Sequence, residues 1–345
     1  TLWLPGTDHA AIATQSKVEK EIQKKEGLSR HDLGREEMLK RIEAFAHDSR
    51  DTIVNQMKVM GASLDWSREA FTLDETRTRA VRTVFKQMYD NDFIYKGLRV
   101  SLYCPHCSTP ISNFEVAMDA DNYKDLSEET GYFKYQLKNE KNTYLLAWST
   151  TPWSKIVTPA LVLNPKLDYV KVKQGDEYYI LAKTTLKILK EEPKYEVVES
   201  YKGKDLIGKE FELHYDYYLK DKKPDEKVGV VVGDEYVTAE EGTGVVTLAV
   251  YGAEDLMVMN NENIQKVAHL DEEGIIEEDV PKFGGMYYLD ANPKIIKDLG
   301  ERALIYKTEN VAHSVAHCWR CGTPLYYAPI DAWFVDIKKL RPQLF

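Results

Sequence analysis

Four cysteines carry the clearest chemical signal in this sequence. They form two C-x-x-C pairs, CPHC with Cys104 and Cys107 and CWRC with Cys318 and Cys321, which together use every cysteine in the chain. About 210 residues separate the two pairs. Four thiolates suit a tetrahedral Zn²⁺ ion and leave no open coordination position for a substrate. The sequence therefore predicts a structural zinc site that joins two distant parts of the chain.

Other interpretations of the cysteines are weaker. Four unrelated buried cysteines have no reason to fall into C-x-x-C pairs, and neither pair opens a helix of a βαβ unit, as a thioredoxin-like redox motif does. Four cysteines among 345 residues are too few for a disulfide scaffold. Their number and pairing indicate a reducing compartment, and we expect a cytoplasmic protein.

The predicted elements explain how the cysteine pairs are positioned. Apolar residues at three- and four-residue spacing predict helices at 35–60, with Gly61 as the stop, and at 74–90. Short β-branched or aromatic runs then predict strands, with a hairpin turn at 175–176. These strands are expected at 132–137, 144–148, 169–172, 178–181, 228–232 and 245–250. A helix at 293–304 and a strand at 331–335 follow, so the order fits an α/β domain interrupted by a mainly β insertion, a barrel or sandwich.

Length and charge limit the class of protein. A chain of 345 residues favours two domains or one domain with a large insertion. The net charge of −10 argues against a uniformly basic nucleic-acid surface, although it permits a local basic groove. No run of eighteen apolar residues occurs, and the first residues lack the features of a signal peptide. We therefore expect neither a membrane span nor secretion.

Several motifs give the chain a family resemblance. Residues 5–15, PGTDHAAIATQ, resemble the catalytic domain of class I valyl-tRNA synthetases. The middle of the chain is similar to the editing insertion of the isoleucyl branch. Further motifs follow in the family's order: GASLDWSRE at 61–69, FTLD at 71–74, IYKG at 94–97, WSTTPWS at 148–154, GTG at 242–244, YGAED at 251–255 and HCWRCGTPL at 317–325.

The resemblance implies ATP- and Mg²⁺-dependent activation of an amino acid and its transfer to tRNA. Asp8 matches the acid that pairs with the substrate ammonium group, His9 stands beside it in the same motif, and Trp333 matches the aromatic wall of the amino-acid pocket. Without the resemblance, the residue types favour a helix-capping role for Asp8 and a place in the hydrophobic core for Trp333. The family's H-I-G-H and K-M-S-K-S motifs do not occur in the chain, so we expect that it cannot form an adenylate alone.

The resemblance also implies a second, hydrolytic site. One methylene changes binding by only about 1–3 kcal/mol, so an aliphatic pocket discriminates weakly and a separate editing site is the physical remedy. Trp148, Thr150 and Thr151 match the threonine-rich peptide that surrounds the mischarged ester. Asp255 matches the acid that holds its amino group. Without the resemblance, the same threonines are interpreted as ordinary strand residues, and Asp255 is interpreted as a solvent-exposed residue at the start of a helix.

Three positions depart from the family pattern. Thr247 stands where a histidine is usual, Val250 where a proline is usual, and Thr158 where an asparagine is common. A threonine can replace a hydrogen bond of that histidine but not the proton transfer of an imidazole. We therefore expect an editing domain that folds but hydrolyses at an altered or reduced rate.

These observations lead to one prediction and three alternatives. The prediction is part of a valine–tRNA ligase, with tRNA, valine and ATP as partners. The alternatives are part of an isoleucine–tRNA ligase, a freestanding editing hydrolase and a zinc-ribbon RNA-binding protein. The expected fold is α/β, a partial Rossmann-like catalytic domain interrupted by a barrel-like editing domain and a four-cysteine zinc ribbon. The expected segments are 1–103 (catalytic), 104–130 (first knuckle), 131–312 (editing) and 313–345 (second knuckle and return).

Overall fold

The chain divides into two compact units with boundaries at Gly97/Leu98 and Asp331/Ala332. The structure, a computed structural model, describes residues 2–344. The first unit contains both ends of the chain, and the second contains its middle. The finer division into four segments stays a prediction.

The chain has a mixed α/β arrangement, with helices concentrated near its start and a long run of strands in its middle. Over residues 2–344 the α-helices are α1 (Ala11–Glu26), α2 (Arg30–Leu33), α3 (Arg35–Val59), α4 (Glu75–Asp90), α5 (Asn113–Ala117), α6 (Ala253–Asn261), α7 (Tyr288–Glu301) and α8 (Ile337–Leu344). Over the same residues the strands are β1 (Gly6–Thr7), β2 (Ala70–Phe71), β3 (Ile94–Cys104), β4 (Thr109–Ile111), β5 (Tyr123–Gln136), β6 (Thr143–Ser149), β7 (Ala160–Leu163), β8 (Asp168–Gln174), β9 (Glu177–Ala182), β10 (Tyr195–Lys202), β11 (Val230–Gly233), β12 (Val245–Thr247), β13 (Ile305–Ala316) and β14 (Tyr326–Val335). No helix in this part of the chain is long and apolar enough to cross a membrane.

The first unit is mainly helical, and both of its predicted helices are confirmed. Buried Val18 and Ile22 of α1 pack against Met38 of α3. Helix α3 ends before Gly61, whose φ of +76° suits a residue without a side chain. Helix α4 begins after Asp74, whose carboxylate caps the helix. Strands β1 and β2 form a short parallel pair.

The second unit is built around a six-stranded sheet of order β10-β8-β9-β6-β5-β13. The predicted hairpin is confirmed, because β8 and β9 pair antiparallel on either side of Gly175, which has a φ of +63°. The buried apolar side chains of the six-stranded sheet, among them Phe133 and Leu145, form the main core, and α7 packs against this core. This sheet gives the unit a rigid frame.

A smaller sheet completes the frame. Strand β7 pairs parallel with β11 and antiparallel with β12, and α6 covers its apolar side through Leu256 and Met259. Strand β12 ends at Thr247, three residues before the end of the predicted strand at 245–250. From there the chain turns toward α6, so β12 and α6 bring two of the sequence motifs close together.

One predicted helix has different bounds in the structure, and one edge strand lay outside the predictions. The helix predicted at 293–304 spans Tyr288–Glu301, because its buried stripe already begins at Tyr288 and continues through Ala291, Ile295 and Leu299. Strand β10 was not predicted, since its residues are almost all exposed and alternate little in polarity. It lies at the edge of the large sheet, paired with β8, where exposed side chains are tolerated.

Candidate functional site

The four cysteines converge at one place in the second unit. Cys104 ends β3, Cys107 lies in the turn to β4, and Cys318 and Cys321 lie between β13 and β14. All four Sγ atoms lie within 4.8 Å of one another, with 3.5 Å between Cys104 and Cys321 and 4.0 Å between Cys107 and Cys318. Thiolates around Zn²⁺ at about 2.3 Å define a tetrahedron with edges of roughly 3.8 Å. The donor set therefore fits a zinc ion.

Hydrogen bonds hold the two knuckles in register. The backbone N–H of Cys107 donates to Sγ of Cys104 over 3.4 Å, and the buried Arg320 donates from Nη1 to Oγ1 of Thr109 over 2.6 Å. Hydrogen bonds with neighbouring thiols lower the pKa of Cys318 and raise the pKa of Cys104. The sulfur atoms are thus close enough to share protons, and their suitability for a metal rests on the four-sulfur geometry.

One cavity of about 790 Å³ lies wholly within the second unit. Its walls bring together all five residues that the sequence assigned to a hydrolytic site: Trp148, Thr150, Thr151, Thr247 and Asp255. These residues span more than a hundred positions of sequence and come from β6, β12, α6 and the segment after β6. We refer to this cavity as the threonine pocket.

The threonine-rich peptide leaves β6 at Ser149 and enters a short 3₁₀ helix at 152–157. Oγ of Ser149 accepts a hydrogen bond from the backbone N–H of Thr151 over 3.2 Å, and Oγ1 of Thr151 lies 3.0 Å from Oγ of Ser154. Thr150 lines the pocket between them. These local hydrogen bonds fix the peptide, and Ser149, Thr150, Thr151 and Ser154 all line the cavity.

The GTG motif forms the turn that leads into β12. Gly242 and Gly244 have φ values of +65° and +73°, a region that residues with side chains rarely adopt. A Cβ at Gly242 would lie 3.1 Å from the ring of Trp148. The glycines therefore allow the turn to pack on Trp148, and β12 then carries Thr247 to the pocket wall.

Asp255 lies in the first turn of α6 and is largely buried. Its Oδ1 accepts a hydrogen bond from the hydroxyl of Tyr236 over 2.8 Å, and its Oδ2 accepts one from the backbone N–H of Ala249 over 3.2 Å. Burial raises the pKa of Asp255, and the hydrogen bonds from Tyr236 and Ala249 oppose this rise. The result is a fixed carboxylate at the pocket wall, positioned to meet a cation.

Sequence reasoning missed Lys155, which lies directly behind the pocket. It is 1% exposed, and its ammonium group donates a hydrogen bond to Oγ1 of Thr247. Burial lowers the pKa of Lys155 to about 7, a shift that the negative charge of Asp255 only partly offsets. A single lysine inside the apolar run WSKIV was the available signal, because such a run is normally buried.

The cysteine cluster and the threonine pocket share a wall. Leu102 and Leu325 line the pocket and belong to the same buried cluster as Cys104 and Cys318. Removing the constraint at the cysteines therefore loosens two side chains that shape the cavity.

The residues predicted for an amino-acid pocket lie in the first unit, on different elements. Oγ1 of Thr72 is 3.3 Å from Oδ1 of Asp8 and 2.6 Å from Nδ1 of His9. Trp333 is 48% exposed and packs edge-on against Phe85, with 5.5 Å between ring centroids. It lines an apolar groove of about 510 Å³, and neither Asp8 nor His9 is among the described residues lining that groove.

Four cysteine sulfur atoms that could hold a metal ion thus lie beside a pocket lined by threonines and by the carboxylate of Asp255. The chain belongs to the class I tRNA synthetase family that comprises the isoleucine, leucine, methionine and valine enzymes, whose profile matches residues 1–345. The resemblance seen in the motifs is thereby confirmed.

Individual relatives are aminoacyl-tRNA ligases. The isoleucine–tRNA ligase of Clostridium novyi is 38% identical over 95% of this chain and 31% of its own length. The valine–tRNA ligase of Carboxydothermus hydrogenoformans is 34% identical over 99% of this chain and 33% of its own length. The chain thus spans about a third of the length of these relatives. Among solved structures, the editing domain of Plasmodium falciparum cytosolic leucyl-tRNA synthetase aligns with 53% of this chain and 100% of its own, at 10% identity and a TM-score of 0.42.

Proposed function

We propose that the threonine pocket hydrolyses mischarged aminoacyl-tRNA within a class I ligase of the isoleucine/valine type. The observation that carries the proposal is the convergence of Trp148, Thr150, Thr151, Thr247 and Asp255 on one cavity. The volume of about 790 Å³ is within the range of small-molecule sites and suits an aminoacyl group with its terminal ribose.

Each residue has a role in this reaction. The carboxylate of Asp255 pairs with the α-ammonium group of the amino acid, which places the ester carbonyl at a defined point in the pocket. The hydroxyl groups of Thr150 and Thr151 donate to the ester oxygens and orient a water molecule. Attack of this water on the carbonyl carbon breaks the ester bond and yields a free amino acid and an uncharged tRNA.

The proposed amino acid is valine. The argument rests on residues 5–15, which carry Asp8 and resemble the valyl synthesis site. Isoleucine is the second candidate, favoured by the 38% identity to the ligase of Clostridium novyi, against 34% to the valine enzyme of Carboxydothermus hydrogenoformans. Asp8 would bind the amino group of either amino acid, and Trp333 would form the pocket wall beside the aliphatic side chain of that amino acid.

The remaining parts of the proposal follow from the family. The first unit contributes to a Rossmann-like catalytic domain that uses ATP and Mg²⁺, and the second unit is a barrel-like editing domain. Cys104, Cys107, Cys318 and Cys321 bind a structural zinc ion, whose role is to hold the two ends of the insertion together. The whole enzyme aminoacylates tRNA.

The decisive experiment measures release of the amino acid from two mischarged substrates, threonyl-tRNA of the valine isoacceptor and valyl-tRNA of the isoleucine isoacceptor. The protein is expected to hydrolyse one of them, and the preferred substrate identifies the amino acid that the ligase serves. Asp255→Ala is expected to lose about 100-fold in rate, because the ester is no longer oriented. An equal rate in both proteins would remove Asp255 from the reaction and with it the proposed site.

A further inference from the structure

Lys155 and Thr247 form a pair at the wall of the threonine pocket. Thr247 faces the cavity from the end of β12, whereas Lys155 reaches it from the 3₁₀ helix at 152–157 and is covered by protein. Among residues 2–344, the hydroxyl of Thr247 is the hydrogen-bond acceptor for the Lys155 amine. An ammonium group has three N–H donors, so a buried amine with a single acceptor is poorly satisfied as a cation and readily gives up its proton.

The charged and titratable groups around Lys155 are few. Asp255 on α6 acts on the Lys155 amine electrostatically. Nζ of Lys155 lies 5.6 Å from the centre of the Phe133 ring on β5. His214 is also close enough to interact, but it is fully buried, with a pKa lowered to about 3 by that burial, and so remains neutral near pH 7. Lys155 is therefore the nearby group whose charge changes close to neutrality, with a pKa of about 7.

We propose that Lys155, acting through the hydroxyl of Thr247, accepts the proton of the attacking water in the deacylation reaction. This inference rests on the proposed editing function of the pocket. It assigns to Lys155 the proton transfer that a histidine at position 247 would perform and that a threonine cannot perform alone.

The proton transfer balances as follows. The neutral Lys155 amine takes the hydroxyl proton of Thr247, and Oγ1 of Thr247 takes a proton from water as the water oxygen bonds to the ester carbonyl carbon. The carbon–oxygen ester bond then breaks, and the ribose oxygen leaves with a proton returned from the Lys155 ammonium through Thr247. Lys155 is neutral again at the end, and no outside reactant is required.

The arrangement favours this direction of transfer. When Lys155 is charged, it donates to Oγ1 of Thr247; when it is neutral, its lone pair can accept the Thr247 proton instead. The active form is thus the neutral amine, whose fraction rises with pH. Since Lys155 does not line the cavity, it is a positioning and proton-accepting residue that acts through Thr247 and does not touch the ester.

The test measures deacylation of the preferred mischarged tRNA between pH 5.5 and 8.5, with spontaneous ester hydrolysis subtracted. Wild-type protein is expected to show a rate that rises through a midpoint near pH 7. Lys155→Met is expected to lose about 100-fold at pH 8, the usual range for an acid–base group, and to lose this rise. Titration of the substrate amino group remains in Lys155→Met, so the difference between the two profiles isolates Lys155.

Thr247→Val tests the same link while it retains the Lys155 side chain, and it decides the question if Lys155→Met does not fold. It is expected to resemble Lys155→Met, whereas Thr247→Ser, which retains a hydroxyl, is expected to restore the pH-dependent rise. The double variant is expected to be no slower than either single variant, since both break one relay. The exposed Lys194→Met serves as a control for loss of a positive charge.

The outcomes separate the two proposals. If Asp255→Ala abolishes deacylation while Lys155→Met and Thr247→Val keep the wild-type rate and pH profile, the relay is overturned and the editing function stands. If wild-type protein and Asp255→Ala release the amino acid equally, the editing function is overturned, and the relay with it. Loss of the rise in both relay variants, with its return in Thr247→Ser, supports the relay.

Discussion

The hydroxyl of Tyr236 donates a hydrogen bond to Oδ1 of Asp255 over 2.8 Å. Burial raises the pKa of both residues, so Tyr236 remains a phenol, and its hydrogen bond opposes the rise in the pKa of Asp255. The pair shows how the second unit favours the carboxylate form of Asp255. Tyr236 had no sequence motif to mark it, and its role emerges from this contact.

Tyr236→Phe is expected to raise the pKa of Asp255 further. Asp255 is active as the carboxylate, so the acid limb that Asp255 sets should move to higher pH; it is measured in the Lys155→Met background, where the rise set by Lys155 is absent. A hydrogen bond to a charged group contributes about 1.5–3 kcal/mol, which corresponds to a shift of roughly one to two pH units. Tyr132→Phe removes a similar bond to Glu309, and because neither residue lines the pocket, it should leave the limb in place. An unmoved limb in Tyr236→Phe would show that Asp255 does not set it.

Gly252 allows the Asp255 carboxylate to fold against the start of α6. A Cβ at Gly252 would lie 2.9 Å from Cγ and 3.0 Å from Oδ2 of Asp255, too close for either atom to stay in place. Gly252→Ala is therefore expected to displace the carboxylate and reduce deacylation at least about tenfold, because a misplacement of about 1 Å is costly for an oriented group. Deacylation kinetics measure the effect.

Gly300 in α7 offers a matched control for that substitution. A Cβ there meets nothing within 4 Å, and Gly300 lies inside a helix with no positive φ. Gly300→Ala is expected to keep the deacylation rate and to stabilise the protein by about 0.5–1 kcal/mol, since alanine is the better helix former. Equal rates in Gly252→Ala and Gly300→Ala would contradict the expected displacement of Asp255.

The sequence anticipated the functional site better than its supporting structure. The two C-x-x-C pairs and the threonine-rich, GTG and Asp255 motifs each pointed to a place where the structure brings distant residues together. Lys155 was missed because burial of one lysine depends on what packs over it, and no local periodicity records that packing. Strand β10 was missed for the opposite reason, since its exposed residues lack the apolar alternation that reveals a strand.

Zinc content should be one ion per chain, and its removal should affect the threonine pocket. Leu102 and Leu325 connect the cysteine cluster to the pocket wall, so chelation is expected to lower both the melting temperature and the deacylation rate. Elemental analysis and thermal melts of Cys318→Ser, in which one buried ligand is weakened, measure the effect. Full stability and activity in a zinc-free preparation would argue against a structural metal.

Lys155→Met should stabilise the folded protein while it slows the reaction. The pKa of Lys155 is about 7 when folded and 10.5 in the ordinary, solvated state. Between these values the unfolded chain binds more protons, so wild-type stability rises with pH, and the full burial penalty applies below about pH 7. That penalty is on the order of 5 kcal/mol, from which the lost bond to Thr247 subtracts about 1 kcal/mol.

The gain in unfolding free energy for Lys155→Met over wild type is therefore expected to be largest at pH 6 and to shrink by about 1.4 kcal/mol for each pH unit above 7. Denaturant unfolding at pH 6, 8 and 9 measures this trend, and the exposed Lys194→Met should show none. A gain that does not change with pH would mean that the amine keeps its solvated pKa, which would leave it charged and unable to accept a proton from Thr247. A stabilised but slow variant is what a buried lysine retained for chemistry should produce, because relief of the burial penalty alone would stabilise the protein and leave the rate unchanged.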